Sequence, residues 1–211
     1  MDYLDHRRGN HHRIGRTLNG IFTPQVFGKA RFLAFLLFSL VLGGHAAPQS
    51  QNGIWLDVPY VKQSEEGCGS AAISMILQYW NAQGSAVEPD RWSAEAIQRK
   101  LYSPKAHGIF ASDLEKYFKD LNFRTFAYQG QWEDLREHLA KGRPLIVGLQ
   151  FSGKKFPYHY VVVTGMDWEK PAVLVNDPAR GRLLRIERAD FEKTWQPVRN
   201  WMLLAVPQHV N

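Results

Sequence analysis

The hydrophobic periodicity of this chain changes once, near Gly142, and that change limits the folds open to it. Before this point apolar residues recur at helical spacing, which predicts helices at 72–80, 89–101, 112–121 and 132–141. After it, short segments rich in Val, Leu and Ile predict strands at 145–151, 158–165, 172–176, 183–187 and 201–206. Helices followed by strands predict an α+β domain, with a helical lobe packed on a mostly antiparallel sheet.

Local signals refine this outline at three places. Residues 72–80 place apolar side chains on one helix face and predict the central buried helix. Ser112 and Glu115 have the spacing of a capping box, which predicts a helix start at Ser112. Residues 54–61 alternate weakly and contain Pro59, so we expect an edge strand or an extended arm there.

The amino-terminal segment has the layout of a secretory signal peptide. Lys29 and Arg31 directly precede an apolar run at 32–42, and small residues follow it. As a helix the run would rise about 16 Å, which is short of the ~30 Å hydrocarbon core of a membrane. We therefore expect residues 1–46 to be a signal peptide cleaved after Ala46, or an uncleaved membrane anchor.

This leader implies a domain plan and a location. Residues 47–53 form a polar linker, and residues 54–211 are expected to fold as one domain. The protein is then exported, either periplasmic or secreted, and is tethered to the cytoplasmic membrane if the leader is retained.

The charge distribution argues against nucleic acid as a partner. The net charge is +6, but residues 1–46 hold six basic and two acidic side chains and so carry +4 of it. The remaining +2 is spread over a body whose Lys and Arg are interspersed with acids, without the basic stripe that phosphate binding needs.

Cys68 is the only cysteine, so it is an inert core residue, an intermolecular disulfide partner or a nucleophile. It lies between Gly67 and Gly69 at the predicted start of the buried helix, where unpaired amides and the helix dipole favour the thiolate. Gln63, five residues upstream, can place a side-chain amide beside the Cys68 backbone N–H, as in an oxyanion hole. This context favours the nucleophile.

A nucleophilic cysteine needs a histidine on a rigid element. His159 opens the apolar strand 158–165, although a lone histidine there could equally be a buried core residue. His107, His138 and His209 are expected to be solvated side chains. The single cysteine and sparse histidines give no spacing typical of a metal site, so we expect no metal and no cofactor.

Asp177 follows the next predicted strand. If the two strands form a hairpin around residues 167–171, Asp177 lies near His159 and can accept a hydrogen bond from its Nδ1–H. Asn176 competes for this role, but its side chain should point to the opposite face of the strand. Asp177 precedes Pro178 and could also be only a turn residue.

The order Gln63, Cys68, His159, Asp177 resembles the C39-like branch of the papain-type cysteine peptidases, which is related to bacteriocin processing. The resemblance covers nearly the whole of residues 56–206. It rests on Val58-Pro59-Tyr60, Cys68-Gly69-Ser70-Ala71, Arg143-Pro144-Leu145-Ile146-Val147, His159-Tyr160-Val161-Val162-Val163, Asn176-Asp177-Pro178-Ala179-Arg180-Gly181 and Phe191-Glu192-Lys193-Thr194-Trp195.

The resemblance implies a papain-like α+β fold with a buried nucleophile helix, and thiol-dependent hydrolysis of a peptide or protein substrate. It implies that Cys68 is the nucleophile, that His159 is general base and then acid, that Asp177 orients His159 and that Gln63 completes the oxyanion hole. The best-known members are fused to ABC transporters and cut leader peptides after a double glycine. This chain shows no transporter or nucleotide-binding motif and has Gly67 where those domains usually carry Asp. It is more similar to a stand-alone, exported branch.

Two other functions remain open at this point. An acyltransferase would form the same thioester and pass the acyl group to an amine or thiol instead of water. A catalytically silent module of the same fold would only bind peptides, although all four polar site residues are present in this sequence.

Overall fold

The computed structural model describes residues 52–153 and 157–208, which form an α+β structure as the sequence predicts. Its helices are α1 (Cys68–Ala82), α2 (Pro89–Trp92), α3 (Ala94–Leu101), α4 (Ala111–Lys119), α5 (Trp132–Ala140) and α6 (Arg188–Trp195), the last followed by a 3₁₀ turn (Gln196–Val198). Its strands are β1 (Gly53–Trp55), β2 (Phe123–Gln129), β3 (Leu145–Gln150), β4 (Tyr158–Asp167), β5 (Ala172–Asp177), β6 (Gly181–Glu187) and β7 (Trp201–Pro207).

The strands form one sheet in the order β2-β7-β3-β4-β5-β6, with β1 beside the end of β4. Every pairing is antiparallel. The hairpin expected between β4 and β5 is present, with Val163 opposite Val175 and Val162 opposite Asn176. A register shift between Val163 and Gly165 marks a bulge in β4.

Side chains alternate between the two faces of this sheet, so each face has its own core. Ile146, Val162 and Leu203 pack with α1, α3 and α4 on one face. Val147 and Val161, their neighbours in sequence, pack with α5 and α6 on the other face. The helices therefore cover both faces, and α1 carries Cys68 against the central strand β4.

Helix α1 is the buried central helix that the sequence predicts. Ten of its fifteen residues are buried, including Ile73, Met75, Ile76 and Leu77. Each such side chain contributes about 1.5–3 kcal/mol when it leaves water. This burial fixes α1, and so fixes the position of Cys68 at its first turn.

An extended arm leads from β1 to the residues before α1. Gly165 allows this arm to cross the sheet closely, because a Cβ there would lie 2.5 Å from the carbonyl oxygen of Ile54. Leu56 continues the contact by donating its N–H to the Thr164 carbonyl at 2.8 Å. The expectation of an edge strand or an extended arm at 54–61 is thus met by a short strand followed by an arm.

Strand β2 was not predicted, and it interrupts the proposed order of helices first and strands later. Only Phe123 of its seven residues is buried, while Phe126 is exposed. It is an edge strand that pairs with β7 alone, so its sequence lacks the apolar alternation of a half-buried strand.

Two predicted helix boundaries were wrong for local reasons. The helix expected at 89–101 is two helices, because Ser93 has an extended backbone and its hydroxyl caps α3 by accepting from the Ala96 N–H at 3.3 Å. The capping box expected at Ser112 is absent: Phe110 is the N-cap of α4 and makes no side-chain cap. A capping box does occur at α5, between Gln131 and Asp134.

No helix within residues 52–153 and 157–208 is long and apolar enough to cross a membrane. The leader expected at 1–46 and most of the linker expected at 47–53 lie outside the described residues.

Candidate active site

Cys68 is the first residue of α1, and both of its glycine neighbours are required by packing. A Cβ on Gly67 would lie 2.7 Å from the Ser64 hydroxyl oxygen and 3.1 Å from the Ser64 carbonyl oxygen. A Cβ on Gly69 would lie 3.1 Å from the Cβ of Ile109. A side chain at either position would therefore require its neighbours to move.

The first turn of α1 presents unpaired amides around the thiol. The Ala71 N–H donates to the Gly67 carbonyl at 3.0 Å, which is the first hydrogen bond of the helix. The amides of residues 68–70 precede it, and the helix itself offers them no acceptor. The half-buried thiol of Cys68 thus lies where the helix best supports negative charge.

His159 lies on β4 and is paired with Asp177 at the end of β5. His159 Nε2 is 2.7 Å from Asp177 Oδ1, and their side chains are only 14% and 1% exposed. The Cys68 thiol is close enough to the imidazole to raise the pKa of His159. Three side chains from α1, β4 and β5 therefore line the same cleft.

The ring nitrogen that contacts Asp177 differs from the expectation. The sequence predicts that Nδ1 faces Asp177, whereas Nε2 occupies that position and Nδ1 remains for the nucleophile. The hairpin explains the difference, since continuation of the Val162–Asn176 register places Asp177 opposite Val161, two residues from His159. His159 and Asp177 are therefore diagonal neighbours on the two strands, and Nε2, the ring nitrogen farther from the backbone, reaches the carboxylate.

Burial and hydrogen bonding shift the pKa values of His159 and Asp177 in opposite directions. Burial lowers the pKa of His159, but hydrogen bonds and charge from Asp177 and Cys68 outweigh it and raise that pKa to about 9. Burial raises the pKa of Asp177, but its hydrogen bonds to His159 and to the Ala179 N–H, with nearby positive charge, lower it overall. An imidazolium beside a carboxylate is the favoured state at neutral pH.

Asn176, the competing candidate, has a structural role. Its amide nitrogen donates to the Val58 carbonyl at 3.0 Å, and its Oδ1 accepts from the Leu183 N–H at 3.0 Å. The side chain joins the arm, β5 and β6, and it is not the partner of His159.

Gln63 reaches the site through the arm. Its backbone N–H donates to the Pro178 carbonyl at 3.0 Å, and the Tyr60 hydroxyl donates to the same oxygen at 3.3 Å. The Gln63 Oε1 is buried without a hydrogen-bond partner among the described residues. Gln63 thus lines the same cleft as Cys68 and is anchored to the residue after Asp177.

The cleft has two halves of about 440 Å³ each, and they meet at Cys68. The first half contains Gln63, His159, Asp177 and Arg180. The second is more apolar and contains Ile109, Phe110 and Tyr160. Cys68, His107 and Tyr158 line both halves, so a chain that lies along the cleft passes over the thiol.

His107 is an exposed side chain, as the sequence predicts, and it belongs to a cluster on the wall of the cleft. Its Nδ1 is 2.9 Å from Glu66 Oε1, and the Tyr102 hydroxyl donates to Glu66 Oε2. Glu66 and His107 both have left-handed backbones, with φ of 53° and 47°. No sequence signal linked them, because the contact joins two irregular loops forty-one residues apart.

The other two histidines had also been interpreted as solvated. His138 is not: its Nε2 lies 2.9 Å from the Tyr128 hydroxyl, and burial lowers its pKa. His209 lies outside the described residues. Within 52–153 and 157–208, no three His, Cys, Asp or Glu side chains are grouped as metal ligands.

Three solved structures have folds similar to this chain. The first is a double glycine motif protease from an AMS/PCAT transporter in complex with the leader peptide, with 20% identity and a TM-score of 0.56. The second is the peptidase domain of Streptococcus ComA, a bifunctional ABC transporter of a quorum-sensing pathway, with 20% identity and a TM-score of 0.56. The third is a protein described as a C39-like peptidase from Bacillus anthracis, with 17% identity and a TM-score of 0.58. The matches cover 74%, 71% and 74% of this chain and 99%, 98% and 98% of theirs. They confirm the papain-like fold of these C39 peptidase domains.

A curated relative is the lactococcin-G-processing and transport ATP-binding protein of Lactococcus lactis subsp. lactis, 28% identical over 137 residues. The match covers 65% of this chain but only 17% of that protein. Residues 55–201, which include all four candidate site residues, match the profile of the Peptidase C39-like family. This chain therefore belongs to the Peptidase C39-like family, whose fold and membership support a cysteine peptidase function.

Proposed function

We propose that this chain is a thiol-dependent peptidase that uses Cys68, His159 and Asp177 on exported peptide or protein substrates. The observation that carries the proposal is the hydrogen-bonded pair of His159 and Asp177 in the same cleft as Cys68, with Cys68 at the first turn of α1. Each member has the environment that its role requires.

The proposed chemistry needs a proton on His159 beside the nucleophile. With a pKa of about 9, His159 carries that proton at neutral pH, and it lines the same cleft as Cys68. Asp177 stabilises the imidazolium and fixes the ring through Nε2, so that Nδ1 faces the thiol.

In acylation the Cys68 thiolate adds to the substrate carbonyl carbon, and negative charge develops on the carbonyl oxygen. The Cys68 backbone N–H and the Gln63 amide are the donors for that oxygen. The carbon–nitrogen bond then breaks, and the proton of His159 passes to the leaving amine. The product of this step is a thioester on Cys68 and a free amine.

Deacylation restores the site. Neutral His159 removes a proton from water, the hydroxide adds to the thioester, and the carbon–sulfur bond breaks. A carboxylic acid product leaves, and the thiolate–imidazolium pair forms again.

The relatives and the predicted leader support the proposed substrate class. Two of the similar structures are peptidase domains of transporters, one of them bound to a leader peptide, which supports a peptide substrate here. The apolar run at 32–42 after Lys29 and Arg31 supports action beyond the cytoplasmic membrane, either released or tethered by the leader. Fractionation of expressing cells tests this location, and full-length chain in the soluble cytoplasm would contradict it.

The test of the activity uses the purified full-length protein and a proteome-derived peptide library analysed by mass spectrometry. We expect cleavage products with free carboxyl ends for the native protein and none for Cys68→Ser. Products joined to an added amine instead of water would show acyl transfer. Peptide binding without any product, at the same concentrations, would show a silent binding module.

A further inference from the structure

The charged residues that line the cleft differ in whether they already have hydrogen-bond or ion-pair partners. Among the described residues that line it, the acids Glu66 and Asp177 are both engaged: Glu66 with Tyr102 and His107, and Asp177 with His159 and the Ala179 N–H. The described basic residues Arg180 and Lys105 form no ion pair with any residue in 52–153 or 157–208. An anionic group of a substrate can therefore pair with the basic residues of the cleft. A cationic group would have to compete with the partners that the acids already have.

Arg180 is the better placed of the two bases. It belongs to the half of the cleft that also holds Gln63 and Asp177, whereas Lys105 lies in the more apolar half. The turn after β5 fixes its backbone, since the Arg180 N–H donates to the Asp177 carbonyl at 3.1 Å. Its positive charge also contributes to the lowered pKa of Asp177, which lines the same half of the cleft.

The positive charge of Arg180 is not neutralised by an ion pair with Asp177. Its Oδ1 accepts from His159 and from the Ala179 N–H, and no ion pair with Arg180 is formed. A guanidinium on a defined turn, with its planar donors available, is suited to bind a carboxylate through two parallel hydrogen bonds.

We propose that Arg180 forms a carboxylate-binding subsite beside Cys68, so that the enzyme prefers substrates with an acidic group next to the cleaved bond. This inference rests on the proposed peptidase function and adds a substrate class to it. The carboxylate can come from an Asp or Glu side chain or from the carboxyl end of the substrate.

The first test needs no substrate. Iodoacetate and iodoacetamide alkylate the same thiolate and differ in charge, so the ratio of their rates reports the potential at Cys68. Because Cys68 is the only cysteine, every alkylation event is assigned to it. We expect Arg180→Gln to lower the iodoacetate-to-iodoacetamide ratio by about threefold, as for loss of one partly screened charge at cleft distance. The difference should shrink at 1 M salt.

Two variants make the comparison specific. Arg180→Lys keeps the charge and should keep the ratio within about twofold of the native value. Arg182→Gln removes a positive charge from the neighbouring exposed position on β6, and should leave the ratio unchanged. An unchanged ratio in Arg180→Gln would overturn the proposal, as would a fall that occurs in Lys105→Gln instead.

The second test uses peptide sets that differ only by Asp, Asn or Lys at one position around the cleaved bond, each with a free or an amidated carboxyl end. Preference for Asp at one position, lost in Arg180→Gln and reversed toward Lys in Arg180→Glu, would identify a side-chain carboxylate. Preference for the free over the amidated end would identify the terminal carboxylate, and no preference of either kind would contradict the proposal. If Cys68 does not react with iodoacetamide in the native chain, the peptidase proposal fails and this inference with it.

Discussion

Asp177 Oδ1 lies 2.7 Å from the distal ring nitrogen of His159, although the two residues are eighteen positions apart in the chain. The β4–β5 hairpin produces this contact, and burial of both side chains protects it from solvent competition. The pair links the fold to the proposed chemistry, because the same sheet register that builds the core also orients the imidazole.

Replacement of Asp177 by Asn should slow peptide hydrolysis without unfolding the protein. An amide can still accept from the Ala179 N–H, but it does not stabilise the imidazolium, so we expect a loss of at least about tenfold in kcat/KM. The measurement is a kinetic assay on one cleaved peptide, with Asp190→Asn, at an exposed position of α6, as the matched control. Equal rates for Asp177→Asn and the native enzyme would show that the pair does not support catalysis.

Hydrolysis and alkylation should respond differently to alkaline pH. Acylation of the enzyme needs the proton of His159, so peptide hydrolysis should fall as pH rises through about 9. Iodoacetamide needs only the thiolate, and its rate should not fall in that range. Both rates are measured on one preparation from pH 6 to 10.5, and a parallel decline of the two would contradict the role of His159 as acid.

The same ionisation should affect stability. The folded-state pKa of His159, about 9, exceeds its ordinary value of 6.5, so the pair stabilises the fold fully below about pH 6.5 and this contribution is lost as pH rises toward 9. The free energy of unfolding should decrease over this window by up to about 3 kcal/mol more in the native protein than in His159→Gln. Urea titrations at pH 6, 7.5 and 9 test it, and identical slopes in both proteins would refute the expectation.

Gln63→Ala should impair turnover while leaving the thiol reactive. Loss of one oxyanion donor costs on the order of 10²-fold in kcat, because that donor acts mainly on the developing charge. Iodoacetamide forms no oxyanion, so the alkylation rate should stay within about twofold of the native rate. Lys62→Ala, an exposed neighbour, is the control, and equal losses in hydrolysis and alkylation for Gln63→Ala would indicate displacement of Cys68 instead.

Gly165→Ala should destabilise the sheet where the arm crosses it. The added Cβ would lie 2.5 Å from the Ile54 carbonyl oxygen, so backbone must move, at a cost of about 1–3 kcal/mol. At Gly148 the nearest atom to an added Cβ belongs to Trp201, at 3.5 Å, so Gly148→Ala should be much milder. Thermal unfolding compares the two variants, and similar midpoints would show that the close approach is not required.

The sequence predicted the parts of the fold and the candidate site that arise from short-range patterns. The hairpin of β4 and β5 follows from two apolar segments around a polar turn, and it brings His159 to Asp177. The helix start at Cys68 follows from two glycines before an apolar helix face. These features depend on local periodicity and turn residues, which a single sequence displays.

The parts that were missed depend on contacts between distant loops or on exposed edges. Glu66 and His107 meet only because the loop closed by the Ser103–Gly108 bridge lies against the turn before α1. Strand β2 owes its conformation to pairing with β7, and its exposed residues need no apolar pattern. The ring nitrogen that faces Asp177 is fixed by the register of the hairpin, to which the sequence gives no direct guide.

The most direct test of the central claim is the rate at which iodoacetamide alkylates Cys68 at pH 7, in the native full-length chain and in His159→Ala. If Cys68 and His159 form a thiolate–imidazolium pair, the native thiol reacts within minutes without denaturant, and His159→Ala slows the reaction at least about tenfold. A thiol that reacts only in denaturant, or at the same rate with and without His159, would contradict the account.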